Sequence, residues 1–254
     1  MFFRIFLFAL CLNSVLYIPN SLASTNAADI QNLARFFGIP ASQIQIECPQ
    51  QSFQVIDAPH SAELSVCLHK ASNQKRCEIV IKPFQKRPFV AQISYDMKIS
   101  HNVNKADRWM SIFQIHSPPD TSENWRCPPV SLEAYKGNLR MFNRWDKTAI
   151  SKTSGYHCAE ENSSIQSREI FQNYSYEQNQ WIPIQIIANL THQDNGVLKT
   201  TIADGPTHTY EGANSYNDHK APYLKFGIYK PNGWHGKHIL SCITYRTVDI
   251  SQEK

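Results

Sequence analysis

Three short stretches of this chain set acid–base and anion-binding side chains two residues apart. Residues 223–229 read Tyr-Leu-Lys-Phe-Gly-Ile-Tyr. On an extended strand, Tyr223, Lys225, Gly227 and Tyr229 share one face, while Leu224, Phe226 and Ile228 share the other. The polar face offers two phenols that can give or take a proton and an ammonium that can hold an anion. A glycine between them leaves room for something large to come close. Residues 109–116 read WMSIFQIH, with Gln114 and His116 in phase with Ile112, and with Phe113 and Ile115 opposite. The ordinary pKa of histidine lies near neutrality and suits a general base, and an amide can bond a carboxylate. Residues 76–81 place Arg76 and Glu78 on one face and Cys77, Ile79 and Ile81 on the other. Taken singly, each pair reads as filler on a solvated strand: an inert histidine, or an ion pair that contributes little. Together they divide their faces the same way. If the three strands are neighbours, Arg76, Glu78, Gln114, His116, Tyr223, Lys225 and Tyr229 line one groove. Such a groove suits a long chain molecule, with aromatics and amides for sugars and Arg, Lys and Gln for carboxylates.

The elements that must carry these residues are strands. After Cys48, short runs rich in Val, Ile, Tyr and Phe alternate with polar residues and are broken by Pro, Gly, Asn and Asp. Strands are predicted at 63–68, 76–82, 89–99, 109–116, 130–135, 138–143, 182–190, 196–203, 222–230 and 239–250. Lys136-Gly137-Asn138 and Asp194-Asn195-Gly196 read as hairpin turns. Residues 29–37 (DIQNLARFF) have helical spacing and stop at Gly38, which predicts a short N-terminal helix. Many strands and few helices point to a sandwich, jelly roll or barrel. In a sandwich, one sheet can bury its inner face and leave its outer face as a groove. The polar segment 146–180 is predicted to be a long loop or lid.

The chain has 254 residues and a formal net charge of +4. Arg4, the apolar run Ile5–Leu16 and Ser21-Leu22-Ala23 have the form of a secretory signal, so residues 1–23 are expected to be removed and 24–254 to form a single domain. The expected location is secreted or periplasmic, without membrane attachment after cleavage. Of seven cysteines, Cys11 leaves with the signal; Cys48, Cys67, Cys77, Cys127, Cys158 and Cys242 remain. An even number in an exported chain predicts disulfides, and the absence of CxxC or HxxxH spacing speaks against zinc. With Arg4 gone the charge is about +3, a mild excess without a basic block. Neither a basic helix nor an RNP-type strand is present, so nucleic acid is not expected. No metal ligands are predicted and no cofactor is required. A Ca2+ ion held by scattered oxygens stays possible.

The order Arg-x-Glu, Gln-Ile-His, Tyr-x-Lys-x-Gly-Ile-Tyr resembles the β-jelly-roll polysaccharide lyases. Family 7 alginate lyases carry similar R-S/T-E-L-R, Q-I/V-H and YFKAG-V/I-Y strands. The stretch from Gln114 to Asn143 and Phe226 in YLKFGIYKPNGW look closer to the heparin lyase I and glucuronan lyase group. Val80 and Phe226 stand where the alginate lyases have arginine and alanine. The resemblance runs from about Arg76 to Ile250. It implies an all-β, concanavalin-like jelly roll and a β-elimination on a 4-linked uronate of an acidic polysaccharide. A base takes the C5 proton, an acid protonates the leaving oxygen, and the carboxylate is neutralised. By the resemblance His116 is the base, Tyr229 the proton donor, Gln114 the neutraliser and Arg76 the substrate-binding arginine. Glu78 orients Arg76; Tyr223 and Lys225 are subsite residues. Lys225 could also lower a tyrosine pKa. Trp109, Trp125 and Trp234 could stack sugars or belong to the core. A monomer is expected.

Two other readings remain. A glycoside hydrolase needs two carboxylates at a set separation, and no strand carries E-x-D-x-x-E; Glu160 and Glu161 are adjacent in the polar segment. A non-catalytic carbohydrate-binding jelly roll would present the same groove, but has no need of a histidine and tyrosine beside a carboxylate-neutralising amide.

Overall fold

The computed structural model describes residues 27–49, 52–69, 75–82, 89–100, 109–153, 162–230 and 240–252. The expected signal segment 1–23, Trp234, Cys158 and Glu160–Glu161 lie outside these residues. Helix α1 (Ala27–Phe37) comes first. The strands follow as β1 (Ile44–Glu47), β2 (Phe53–Ile56), β3 (Glu63–His69), β4 (Arg76–Ile81), β5 (Phe89–Ser100), β6 (Met110–His116), β7 (Val130–Tyr135) and β8 (Asn138–Trp145). They continue as β9 (Gln166–Ser175), β10 (Trp181–Leu190), β11 (Val197–Ile202), β12 (His208–Glu211), β13 (Tyr223–Tyr229) and β14 (Leu240–Gln252).

Two antiparallel sheets result, ordered β1-β4-β13-β6-β7-β8-β9 and β12-β11-β10-β5-β14-β3-β2. They stack as a jelly-roll sandwich, with one face of each sheet turned to a shared core. β5 shows the rule, with every second residue from Phe89 to Ile99 buried. The three motif strands are adjacent, with β13 between β4 and β6. Between the sheets, Phe226 is the hub of an aromatic core. Its ring lies 5.1–5.4 Å from those of Phe113, Tyr95, Phe37 and Tyr245. Phe226 is fully buried on the core side, so it cannot touch a ligand in the groove and does not select one by contact.

Disulfides join Cys48 to Cys77 and Cys67 to Cys242, each between neighbouring strands, and Cys127 is disulfide-bonded as well. The helix is as expected: Leu33, Ala34 and Phe37 face the core, and Gly38 ends it at φ 64°. The segment 146–180 is not all loop. It contains β9, a largely polar edge strand that buries Phe171 and is kinked by register shifts, so its alternation is broken. β1, β2 and β12, at four residues each, fell below what periodicity can signal.

Two bulges adjust the central strands. The register of β13 on β6 slips between Phe226 and Tyr229, and that of β6 on β7 slips between Ser111 and Phe113. The second slip turns Ile112 into the core, out of phase with Gln114 and His116. Tyr245, from the opposite sheet, closes both gaps: its phenol accepts from Gly227 N at 3.0 Å and donates to Ile112 O at 2.5 Å. Gly227 has φ 140°, and a Cβ there would lie 2.2 Å from Cys77 O. The glycine therefore makes room for the β4 backbone rather than for a ligand.

Candidate active site

The polar residues of the central strands stand on the outer face of the first sheet, yet Glu78, Gln114, His116 and Lys225 are all buried. The face is thus a recessed cleft rather than an open surface. Register sets its layout. Tyr223 lies opposite His116, Lys225 lies between Gln114 and Val80, Gly227 faces Glu78, and Tyr229 lies between Arg76 and Ser111. The cleft therefore has two ends and a middle.

At one end the His116 and Tyr223 rings are stacked, 5.2 Å apart and 12° from parallel. Trp125, 69% exposed, stands edge-on to His116 at 5.8 Å. At the other end the Arg76 guanidinium lies over the Tyr229 ring at 4.9 Å, with Trp109 at 6.0 Å from the same ring. The expected partnership of His116 with Tyr229 is not what the strands build. Five residues of β13 lie between Tyr223 and Tyr229, a span of up to about 20 Å of extended chain. The register sets Tyr223, not Tyr229, beside His116.

The middle is an ion lattice. Lys225 Nζ donates to Glu47 Oε2 at 2.7 Å and to Glu78 Oε2 at 3.2 Å. Arg76 Nη1 lies 2.9 Å and 3.4 Å from the same two oxygens. The Gln114 amide donates to Glu78 Oε1 at 2.7 Å. Glu78 thus ties Arg76, Lys225 and Gln114 together, a wider duty than orienting Arg76 alone. Burial pushes its carboxyl above the usual range, against the pull of Lys225 and Arg76. Burial also raises Glu47, but hydrogen bonds and charge from Lys225 and Arg76 outweigh it and hold that carboxyl below the usual range.

Burial dominates the reactive pair. It lowers the His116 pKa to about 3, helped by the charge of Lys225. His116 Nδ1 lies 3.1 Å from Ser117 O. A hydrogen on Nδ1 satisfies that carbonyl and leaves the Nε2 lone pair for a proton. Burial, then the Glu47 and Glu78 carboxylates, push the Tyr223 phenol well above its usual range. The expectation that Lys225 would lower a tyrosine is not met at Tyr223. Its ammonium is committed to the two glutamates and sits 6.0 Å from the ring centroid. At neutral pH the end of the cleft therefore holds a neutral imidazole, with its Nε2 lone pair free, beside a protonated phenol; burial fixes both forms and makes each a weaker base or acid than the free side chain.

The cleft holds further residues that no local sequence motif singles out. Glu47 arrives on β1, 29 residues before Arg76, and no local pattern announces it. On β7 and β8 the same face carries Ser131, Glu133, Arg140, Phe142 and Arg144. Arg140 donates twice to Glu133 Oε2, at 2.9 and 3.1 Å, and both arginines lie over the Phe142 ring. The alternation in VSLEAY and NLRMFNRW could have shown this face. Outside the cleft, Asp120, Glu123 and Asp218 bring carboxylate oxygens within 4.8 Å of one another. Arg126 stands among them, bonded to both Glu123 and Asp218, and supplies the positive charge that such a cluster needs.

A recess that sets an imidazole against a phenol, flanked by cations and aromatic rings, has the groups that acid–base chemistry on a sugar chain needs. Comparison with known proteins narrows that chemistry. The polysaccharide lyase family model matches residues 41–246, and the chain belongs to that family. The match takes in β1 and Glu47 and leaves α1 outside. Comparison with curated protein sequences finds none that matches.

Among solved structures the fold is similar to the endo-β-1,4-glucuronan lyase of the fungus Trichoderma reesei. The TM-score is 0.63 at 14% identity, over 82% of this chain and 90% of that one. It is also similar to a family 7 alginate lyase solved with substrate, with TM-score 0.54 at 13% identity over 81% and 83%. The marine alginate lyase of Aplysia kurodai gives 0.54 at 9% identity over 80% and 87%. These likenesses share the jelly-roll fold. No helix among the described residues is long and apolar enough to cross a membrane.

Proposed function

We propose that this lyase is exported and cleaves a 4-linked uronate polysaccharide by β-elimination. The observation that carries the reading is the stacked His116–Tyr223 pair, the imidazole neutral and the phenol protonated, side by side on one face. His116 Nε2 removes the C5 proton. The electron pair becomes the C4–C5 double bond as the C4–O4 bond breaks, and Tyr223 delivers its phenolic proton to O4. Charge building on the uronate carboxylate falls beside Gln114, whose second amide hydrogen is not the one given to Glu78 and can bond it. Arg76 and Tyr229 serve a subsite farther along the chain, and Trp125 gives a sugar an exposed ring to stack on. The disulfides favour an oxidising compartment, which supports export.

The structural relatives indicate which polymers to try first. The protein is incubated with glucuronan, alginate, heparin and hyaluronan, and the unsaturated uronate is followed by its ultraviolet absorbance. No rise on any of them would sink the proposal. New reducing ends without the ultraviolet signal would point instead to hydrolysis by the Glu47–Glu78 pair. Retention of polymer without cleavage would mark a binding protein.

A further inference from the structure

We infer that Glu47 is a specificity-determining residue: its carboxylate fills the seat between Arg76 and Lys225 that a second uronate carboxylate would take. This rests on the polyuronate reading above. Arg76 Nη1 and Lys225 Nζ converge on one oxygen of Glu47, at 2.9 and 2.7 Å, which is the cradle two cations offer an anionic ligand. The four charges of the lattice sum to zero, so the middle of the cleft projects no net attraction toward a polyanion. Glu78 cannot be the adjustable member. It is 2% exposed and also holds Gln114. Glu47 and Arg76 form the solvent side, with side chains 26% and 41% exposed.

Backbone geometry keeps Glu47 in place. It lies directly opposite Glu78 across β1 and β4, where like charges repel unless cations bridge them. The next residue, Cys48, is tied to Cys77, so β1 cannot draw the carboxylate away. A chain lying in the cleft thus has one carboxylate received near Gln114, while its neighbour toward Tyr229 meets a neutral quartet. The cleft tolerates polymers whose uronates are spaced or esterified, and it limits affinity for a fully charged one.

The test compares wild type with Glu47→Gln, which keeps an acceptor for Lys225 and removes the charge. The substrates are the polyuronate that the wild type cleaves and the same polymer partly methyl-esterified. On the fully charged polymer Glu47→Gln should raise kcat/KM about fivefold through KM, the scale of one half-exposed ion pair. On the esterified polymer it should change kcat/KM less than about twofold. An unchanged preference between the two polymers, or a higher KM on the charged one, overturns the inference. Equilibrium binding of the charged polymer at two salt concentrations gives a readout that needs no cleavage: the variant should bind more tightly and lose more affinity with salt. Wild type that cleaves nothing refutes the lyase reading, while the binding comparison still decides the role of Glu47. Should Glu47→Gln fail to fold, Glu47→Asp, which withdraws the carboxylate from Lys225, is measured in the same way. It should shift the preference in the same direction by a smaller amount, and no shift overturns the inference.

Discussion

The two tyrosines of β13 give a sharp test, because the register assigns them to different ends of the cleft. Tyr223→Phe removes one oxygen and keeps the ring that stacks on His116 at 5.2 Å. A positioned general acid contributes about 10²–10⁴-fold, or roughly 3–5 kcal/mol of barrier. Tyr223→Phe should therefore lower kcat at least about 100-fold, with KM nearly unchanged, since the ring that meets the sugar remains. Tyr229 stands up to about 20 Å away along the strand, opposite Ser111 rather than His116. Tyr229→Phe keeps the ring under Arg76 and should hold kcat within about threefold. The assay is the initial rate of ultraviolet absorbance at several substrate concentrations for both variants, with thermal midpoints as the check on folding. A 100-fold loss in Tyr229→Phe alongside a nearly active Tyr223→Phe would refute the assignment and the layout drawn from register.

Acid should destabilise the protein through His116. Its folded pKa of about 3 lies below the unfolded value near 6.5, so the folded state binds fewer protons between these limits. Stability is then full above pH 6.5 and falls by at most about 1.4 kcal/mol per unit toward pH 3. Denaturant titrations at pH 5 and 7 should show this slope in wild type and a shallower one in His116→Gln; equal slopes count against burial as the cause. Gly227→Ala should cost at least about 3 kcal/mol in a denaturant melt, since its Cβ would meet Cys77 O at 2.2 Å at a φ of 140°. A change under 0.5 kcal/mol contradicts the close approach of β4. Trp125→Ala should raise KM about tenfold, the worth of one stacked ring, while the thermal midpoint stays put; an unchanged KM removes Trp125 from the binding surface.

Strict alternation in 223–229, and looser alternation in 76–81 and 109–116, marked these as strands with one apolar and one reactive face, because a two-residue period is the signature of a strand; the bulge that turns Ile112 into the core left no such mark. The helix at Ala27–Phe37 and the Lys136-Gly137 turn were legible for the same reason: their signals are local. What could not be read was pairing. Whether Tyr223 or Tyr229 meets His116 depends on the register between strands more than 100 residues apart in the chain, and on bulges closed by Tyr245 from the opposite sheet. The family motif drew attention to Tyr229, whereas strand register puts Tyr223 against the histidine. Glu47 was invisible because its meaning lies in two cations 29 and 178 residues away. Sequence by itself determined which side chains could do chemistry and on which face of each strand. Only the tertiary structure decided which of them stand side by side, since side-chain phase is a property of one strand and register is a property of two.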